Sequence, residues 1–158
     1  MIDRDRSDQR KKWKREISAG GVVYKKSRDK IYILLTGHKG KQIHKGEWIW
    51  AFPKGWIGDH PGERIEETAV WEVREEGGVN ARIEADLGEL KYFFKWAGED
   101  IFKIVKYYLM EYVSGDPADH DFEVEDAKWV ELSEAEKTLT FREDKEVLAK
   151  AREILAQK

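Results

Sequence analysis

Residues 63–78 read ERIEETAVWEVREEGG, and this stretch decides how the chain around it folds. At 100° per residue of an α-helix, Ile65, Ala69 and Val73 fall within about 80° of one another, so we expect this arc to face a hydrophobic core. The pair Gly77-Gly78 is a typical stop signal for a helix. The stretch therefore predicts an amphipathic helix over residues 63–77 that packs against other elements.

The same helix carries carboxylates where apolar side chains are expected. Glu72 and Glu76 fall in or beside the apolar arc, and Glu75 lies about 80° to one side of Ile65. Arg74 points almost the opposite way, so no basic side chain on that face pairs with the carboxylates. Half-buried carboxylates are costly unless something compensates them, and Mg²⁺ does so well. The helical wheel alone fits a metal site and an ordinary solvated Glu-rich face equally.

Around this helix the sequence predicts strands with loops between them. Alternating and β-branched runs predict strands at residues 17–24, 31–36, 48–52, 81–90, 92–96, 101–113 and 127–132. Loops are expected at residues 37–47, 53–62 and 116–126. Strands first, a helix in the middle and helices at the end indicate a mixed α/β domain with helices packed on a sheet.

Two short motifs after the last strand resemble capping boxes. Ser133 is followed by Glu136 at the third position, and Thr140 is followed by Glu143 in the same way. In a capping box the hydroxyl and the later carboxylate bond to free amides of the first helical turn. We therefore expect a short helix to begin at Ser133 and a longer terminal helix to begin at Thr140.

Length and composition exclude several classes of protein. A chain of 158 residues suggests one domain, which we assign to residues 17–158, preceded by a charged, solvated tail at residues 1–16. The absence of cysteine excludes disulfides and thiolate metal sites. A net charge of −3, with 39% charged residues, gives no reason to expect a stable nucleic-acid partner. We find no membrane-spanning run and no apolar signal segment in the tail, so a cytoplasmic protein is expected.

Residues 63–79 resemble the Nudix box, whose one-letter pattern is G-x5-E-x7-R-E-U-x-E-E-x-G-U with U aliphatic. The upstream segment 52–55, FPKG, resembles the P-K-G segment of that family. Residues 18–23, 87–89, 103–112 and 124–129 are similar to the branch that includes bis(5′-nucleosyl)-tetraphosphatases. The resemblance covers residues 17–155 and implies the Nudix fold, a mixed β-sheet sandwiched between α-helices.

The resemblance also implies a chemistry, the hydrolysis of a phosphoanhydride bond in a nucleoside-diphosphate-linked substrate. Glu72, Glu75 and Glu76 would hold Mg²⁺ or Mn²⁺, which neutralises phosphates and activates water. Two sources of the general base stay open. One is Glu75 or Glu76, and the other is the acidic loop at residues 116–126, from which we choose Glu125 over the alternative of a solvated loop.

Four further residues are candidates for substrate binding. In tetraphosphatase-like members a Lys at the position of Lys103 contacts phosphate, and Lys54 of the P-K-G segment is either a second phosphate ligand or structural. Alternation places Tyr92 and Phe94 on one face of a strand, where a ring could stack on a purine or pack in the core. The substrate is therefore expected to be a nucleotide with several phosphates.

Four residues correspond to positions that support the Nudix box, which are Gly55, Glu63, Trp71 and Gly78. The chain departs from the pattern at two places among them. Trp71 stands where the pattern has an Arg that pairs with the carboxylates. Seven residues rather than five separate Gly55 from Glu63. Either the Trp leaves the empty carboxylate site more repulsive, or it has joined a core repacked with the lengthened loop.

The preferred function is Mg²⁺-dependent hydrolysis of a dinucleoside polyphosphate such as Ap4A. Other substrates of the same class are ADP-ribose, oxidised dNTPs, RNA 5′ ends and diphosphoinositol polyphosphates. The competing hypothesis is a Nudix-fold module that senses a nucleotide without cutting it, for which Trp71 is the main argument. We expect a monomer or a homodimer with a small-molecule partner and no membrane partner.

Overall fold

A computed structural model describes residues 13–40, 45–58 and 62–158. The predicted tail up to residue 12 lies outside the described residues, as do residues 41–44 of the first predicted loop and residues 59–61 of the lengthened loop. Within the described part, the strands and helices are the following. The strands are β1 (Trp13–Ser27), β2 (Lys30–Lys39), β3 (Trp48–Ala51), β4 (Lys54–Trp56), β5 (Val79–Trp96), β6 (Glu99–Gly115) and β7 (Asp126–Glu131). The helices are α1 (Ile65–Gly77), α2 (Leu132–Thr138) and α3 (Arg142–Ala156), with a 3-10 turn at Pro117–Asp119.

The strands form one mixed sheet with the order β3-β2-β1-β6-β5. β1 and β6 run parallel, and β5 runs antiparallel to β6. β1 and β2 pair only near their hairpin turn, from Tyr24 opposite Ile33 to Ser27 opposite Lys30. Beyond that point β4 pairs with β1 and β3 pairs with β2, so the two strands separate and leave a cleft between them.

Helices cover both faces of the sheet, as the resemblance implied. α1 buries Ala69 and Val73 against a core cluster that includes Val23, Leu34 and Met110. α3 contributes to the second cluster, on the other face, whose members from the helix and the sheet are Val147, Leu148, Ala151, Leu155, Ile33, Leu35, Val105, Tyr107 and Leu109. The mixed α/β sandwich is therefore confirmed. In the described part of the chain, no helix is both long and apolar enough to cross a membrane.

The prediction of a loop at residues 53–62 was wrong in one respect, because this segment contains strand β4. Lys54 and Gly55 pair with Gly20 and Ala19 of β1. A Cβ atom at Gly20 would overlap the carbonyl oxygen of Pro53, so the glycine allows the two backbones to approach. Glycine and proline marked this segment as a loop, and only the contact with β1 makes it a strand.

The boundaries of two other strands also differ from the prediction. Residues 81–90 and 92–96 form one strand, β5, rather than two, and its pairing with β6 shifts register at three places. These irregularities at Asn80/Ala81, Ile83/Ala85 and Asp86/Glu89 explain the broken alternation in the sequence. β1 begins at Trp13 rather than at residue 17, because it continues along β6.

Both predicted capping boxes were wrong. α2 begins after Glu131 and α3 after Phe141, and neither helix has a side-chain cap. The hydroxyl oxygen of Thr140 instead accepts a hydrogen bond of 2.8 Å from the backbone amide of Trp50. A tertiary contact with the edge strand β3 has thus taken the group that the local motif would use.

Candidate active site

Glu72 of α1 lies directly over the backbone of Gly55 in β4. The Glu72 residue is only 5% exposed, and any Cβ at position 55 would overlap its carboxylate. A side chain at position 55 would therefore displace this carboxylate, and glycine lets it lie against the sheet. The predicted helix face is confirmed in the sense that Glu72 is buried beside Ala69 and Val73.

A cavity of about 440 Å³ opens at the cleft between β1 and β2. Its lining residues come from both strands, from β4 and β6, from α1 and from the acidic loop, and they are Ser18, His38, Lys54, Gly55, Trp56, Glu72, Glu75, Glu76, Lys103, Glu123 and Val124. All three box carboxylates and both predicted lysines therefore meet in one cavity. The lining residues span the sequence from Ser18 to Val124, so the cavity exists only in the folded protein.

The acidic end of the cavity is electrostatically unfavourable when all its carboxylates are charged. Burial raises the pKa of Glu76 to about 7, the charges of Glu123 and Asp121 add to the increase, and the nearby Lys54 ammonium opposes it. Desolvation and like charge both favour the protonated acid. This is the environment that a divalent cation would relieve.

The basic end holds Lys54 and Lys103. Burial lowers the pKa of Lys103 and the charge of Lys54 adds to this, whereas the carboxylates of Glu16, Glu76 and Asp144 oppose it. Two ammonium groups held close together in a partly buried site suit a ligand with several negative charges. The cavity therefore combines an acidic end with a basic end.

The acidic loop is held against the helix and the sheet by its backbone. The amide of Asp121 donates to the carbonyl oxygen of Glu75 at 2.8 Å, and the amide of Glu125 donates to that of Gly37 at 2.9 Å. Between these two anchors Glu123 reaches the cavity wall. The structure places the side chain of Glu125 at the exposed surface, where its Oε1 accepts a 3.4 Å hydrogen bond from the Lys39 amide.

The predicted aromatic residues lie beside the cavity rather than in its wall. Tyr92 packs against the core cluster under α3, and it pairs with Lys103 across the β5–β6 ladder. Phe94 is two residues further along β5 and is 38% exposed. Tyr92 and Phe94 therefore flank the basic end, with one ring largely packed and the other partly accessible.

Trp71 does not enter the cavity. It is 39% exposed and lines a shallow groove between α1 and β5 together with Val70, Arg74 and Ile83. The alternative in which Trp71 joined a repacked core is therefore wrong. The argument for a sensing module also loses its basis, because the departure from the box lies outside the cavity while all three carboxylates line it.

The residues present suit a hard divalent cation by their chemistry. They offer carboxylate oxygens, which Mg²⁺ and Mn²⁺ prefer, and among the described residues Glu63 Oε2 is a buried oxygen without a hydrogen-bond partner. Within residues 13–40, 45–58 and 62–158, however, no three Asp, Glu or His side chains already converge as ready ligands. We therefore expect these carboxylates to move together when an ion binds.

Comparison with known proteins identifies the family. The model of the NUDIX domain matches residues 14–151. The chain belongs to the Nudix family. The relatives support a Nudix pyrophosphohydrolase, and the Nudix fold that the resemblance implied is confirmed.

Three relatives show where this Nudix enzyme stands within the family. It is 33% identical over 140 residues to the Mycobacterium tuberculosis protein named "Putative mutator protein MutT4", covering 89% of the chain but only 56% of that relative. It is 31% identical over 142 residues to the asymmetrical bis(5′-nucleosyl)-tetraphosphatase of Caenorhabditis elegans, covering 88% of the chain and 96% of the relative. A crystal structure of a C. elegans Ap4A hydrolase binary complex matches with a TM-score of 0.66 and 27% identity, covering 90% of the chain and 99% of that structure. The resemblance to Ap4A hydrolases is therefore confirmed.

Sequence reasoning missed two acidic residues that lie in the cavity wall or beside its lysines. Glu123 is one of six acids in the loop, and nothing in the sequence separates it from Glu125. Asp144 is 3% exposed and faces the two lysines from the first turn of α3. Its spacing of three, four and seven residues before Val147, Leu148 and Ala151 marks it as an acid on the buried face of that helix.

Proposed function

We propose that this Nudix enzyme hydrolyses dinucleoside polyphosphates such as Ap4A with the help of Mg²⁺ or Mn²⁺. The observation that carries the proposal is that three box carboxylates and two lysines line one cavity, in which Lys54 interacts with Glu76. A polyphosphate is long enough to reach both ends of such a cavity. The tetraphosphatase relative, which the chain covers over 96% of its length, supports the same substrate class.

Glu72, Glu75 and Glu76 would hold the ion at the acidic end. A bound divalent cation supplies charge stabilisation to the phosphate oxygens and lowers the pKa of a bound water. Gly55 gives Glu72 the space to approach the sheet, and Gly78 ends α1 in the left-handed conformation, with φ 75°, so that the chain turns back into β5. The backbone thereby sets the positions of the carboxylates.

Lys54 and Lys103 would bind phosphates that do not react. Their ammonium groups lie at the basic end, where partial burial strengthens their attraction to phosphate. Tyr92 and Phe94 flank Lys103 and would support a nucleoside there. Binding by these residues orients the reacting phosphate toward the acidic end, which is how positioning contributes to phosphoryl transfer.

A carboxylate near the attacking water would take up its proton. Glu75 and Glu76 remain candidates, and Glu123 is a further one that we prefer to Glu125, because Glu123 lines the cavity and Glu125 does not. Glu123→Gln and Glu125→Gln form a matched pair of variants in one loop. We expect the first variant to lose much more kcat than the second.

The substrate is tested by incubating the protein with Mg²⁺ and a panel of compounds, followed by chromatography of the products. The panel contains Ap4A, ADP-ribose, an oxidised dNTP, a triphosphorylated RNA and a diphosphoinositol polyphosphate. We expect Ap4A to be cut with the highest kcat/KM and chelator to abolish the reaction. Faster cleavage of any other compound would replace the proposed substrate, and cleavage in excess chelator would remove the metal from the proposal.

A further inference from the structure

We propose that the sheet edge beside the cavity binds the second nucleoside of a dinucleoside polyphosphate on a surface that we call the Trp48 platform. The platform consists of Trp48, Trp50, Lys39 and Lys128. The inference rests on the proposed function and adds a subsite to the same site. The chemical class of its ligand is a nucleobase that carries phosphate.

The two tryptophans of the platform form a stack. Trp48 and Trp50 are two residues apart on β3 and therefore point to the same face of the sheet. Their ring centroids are 5.5 Å apart, and their planes differ by 13°. Trp50 is half-buried against the core under α3, whereas Trp48 at the outer end stays 44% exposed.

The inner tryptophan of the stack is anchored through its backbone and through a contact of its ring. The backbone amide of Trp50 donates to the hydroxyl of Thr140, and the carbonyl oxygen of Trp50 accepts a 3.1 Å hydrogen bond from the Thr140 amide. The indole also lies on the backbone of Gly37, where an added Cβ would come within 2.6 Å of the ring. A ring fixed in this way orients Trp48 before any ligand arrives, which lowers the entropy cost of binding.

Two lysines flank the stack. The ammonium of Lys39 lies 5.8 Å from the centroid of the Trp48 ring, and that of Lys128 lies 4.3 Å from the Trp50 ring. Aromatic faces combined with cations are what proteins use to hold bases with their phosphates. Core packing explains Trp50, but it does not explain an exposed Trp48 with a lysine beside it.

The platform lies on the correct side of the cleft to share a ligand with the cavity. Trp50 and Tyr92 pack against the same core cluster, so Trp48 and Tyr92 lie on the same face of the sheet. β3 pairs with β2 on the side that faces β1, because β7 occupies the other side of β2. A polyphosphate held at Lys54 and Lys103 would therefore carry one nucleoside toward β3 and the other toward Tyr92 on β5.

The test compares two substrates that differ only in the second nucleoside, which are Ap4A and adenosine 5′-tetraphosphate. We expect Trp48→Ala to raise KM for Ap4A about 10-fold, because stacking of one base contributes on this scale. KM for adenosine 5′-tetraphosphate and kcat for both should change less than about 2-fold, since a uniform binding contact affects KM alone. Equal effects on the two substrates, or none, would overturn the platform.

Trp71→Ala is the matched control, because Trp71 is exposed to a similar degree and lies in a groove away from the cavity. It should leave both KM values unchanged. Trp48→Tyr keeps an aromatic ring and should recover most of the affinity for Ap4A. An aliphatic Trp48→Leu that recovers as much would show that apolar volume alone matters and would contradict stacking.

A binding measurement separates this inference from the proposed function. Tryptophan fluorescence is titrated with each compound in chelator, where no hydrolysis is expected. Stronger quenching by Ap4A than by adenosine 5′-tetraphosphate, lost in Trp48→Ala, supports the platform even if wild-type protein does not cut Ap4A. Equal quenching by both compounds would refute the Trp48 platform even if Ap4A is the substrate. Tighter binding of an adenine oligonucleotide than of Ap4A at Trp48 would refute it as well.

Discussion

Glu76→Gln should stabilise the metal-free protein at alkaline pH, although it removes a residue of the active site. Burial raises the pKa of Glu76 to about 7 from the ordinary value of 4.5. A carboxyl whose pKa is raised on folding favours the native state when protonated. The contribution of Glu76 to the free energy of unfolding is therefore fully present below pH 4.5 and is lost as the pH rises through about 7.

The size of the effect follows from the shift. The rise of the Glu76 pKa from 4.5 to about 7 corresponds to a change of about 3 kcal/mol in the free energy of unfolding between the two ends of this pH range. For a protein of this length, about 2–4 °C in melting temperature accompanies each kcal/mol. We therefore expect Glu76→Gln in chelator to melt about 6–12 °C above wild type at pH 8.5 and close to wild type at pH 4.5.

Thermal melts followed by circular dichroism across this pH range, with chelator and with Mg²⁺, measure the effect. Mg²⁺ should raise the melting temperature of wild type at pH 8.5 much more than that of Glu76→Gln. Glu67→Gln is the control, because Glu67 lies on the same helix with a side chain 60% exposed and only a surface contact to Arg64. It should change the melting temperature by less than about 1 °C.

Two results would refute the reasoning. One is equal melting temperatures of Glu76→Gln and wild type in chelator at pH 8.5, which would mean that the charged carboxylate is not penalised by folding. The other is a stabilisation that does not shrink toward pH 4.5, which would point to a packing effect of the amide rather than to charge.

Three further substitutions test other parts of the site. Lys103→Ala should raise KM for Ap4A about 10-fold or more with little change in kcat, since a charge-assisted contact to a non-reacting phosphate acts in the ground and transition states alike. The control is Lys106→Ala, because Lys106 lies on the opposite face of β6 and binds Asp86. A loss of kcat without a change in KM would contradict phosphate binding by Lys103. Gly55→Ala should lower the melting temperature by the equivalent of about 1–3 kcal/mol, because the new methyl overlaps the Glu72 carboxylate. For the same reason it should weaken Mg²⁺ binding, which calorimetry measures. An unchanged Mg²⁺ affinity would show that Glu72 is not a ligand. Trp71→Arg should keep the wild-type melting temperature, because position 71 is partly exposed. It should leave activity unchanged at every Mg²⁺ concentration, because its groove lies outside the cavity. A gain of activity at low Mg²⁺ would instead show that a charge at position 71 reaches the carboxylates.

The helix, its three carboxylates and the family could all be predicted from the amino-acid sequence. The period of 3.6 residues fixes which side chains share a face of α1, so Ala69, Glu72 and Val73 are buried together as the wheel predicts. The same local rule failed where a tertiary contact competes for a group. Thr140 bonds to Trp50 rather than to its own helix, and the segment after Pro53 becomes a strand because Gly20 lets it approach β1.

The distant residues that meet the carboxylates could not be predicted in this way, because their positions depend on how the elements pack. Lys54, Lys103 and Asp144 belong to three different elements, and they converge because β1 and β2 separate beyond their hairpin and α3 packs across the sheet. The choice of Glu123 over Glu125 depends on backbone hydrogen bonds that anchor the acidic loop on both sides. The periodicity of the sequence predicts which face of an element a residue occupies. It does not predict the distances between elements, and the cavity depends on those distances.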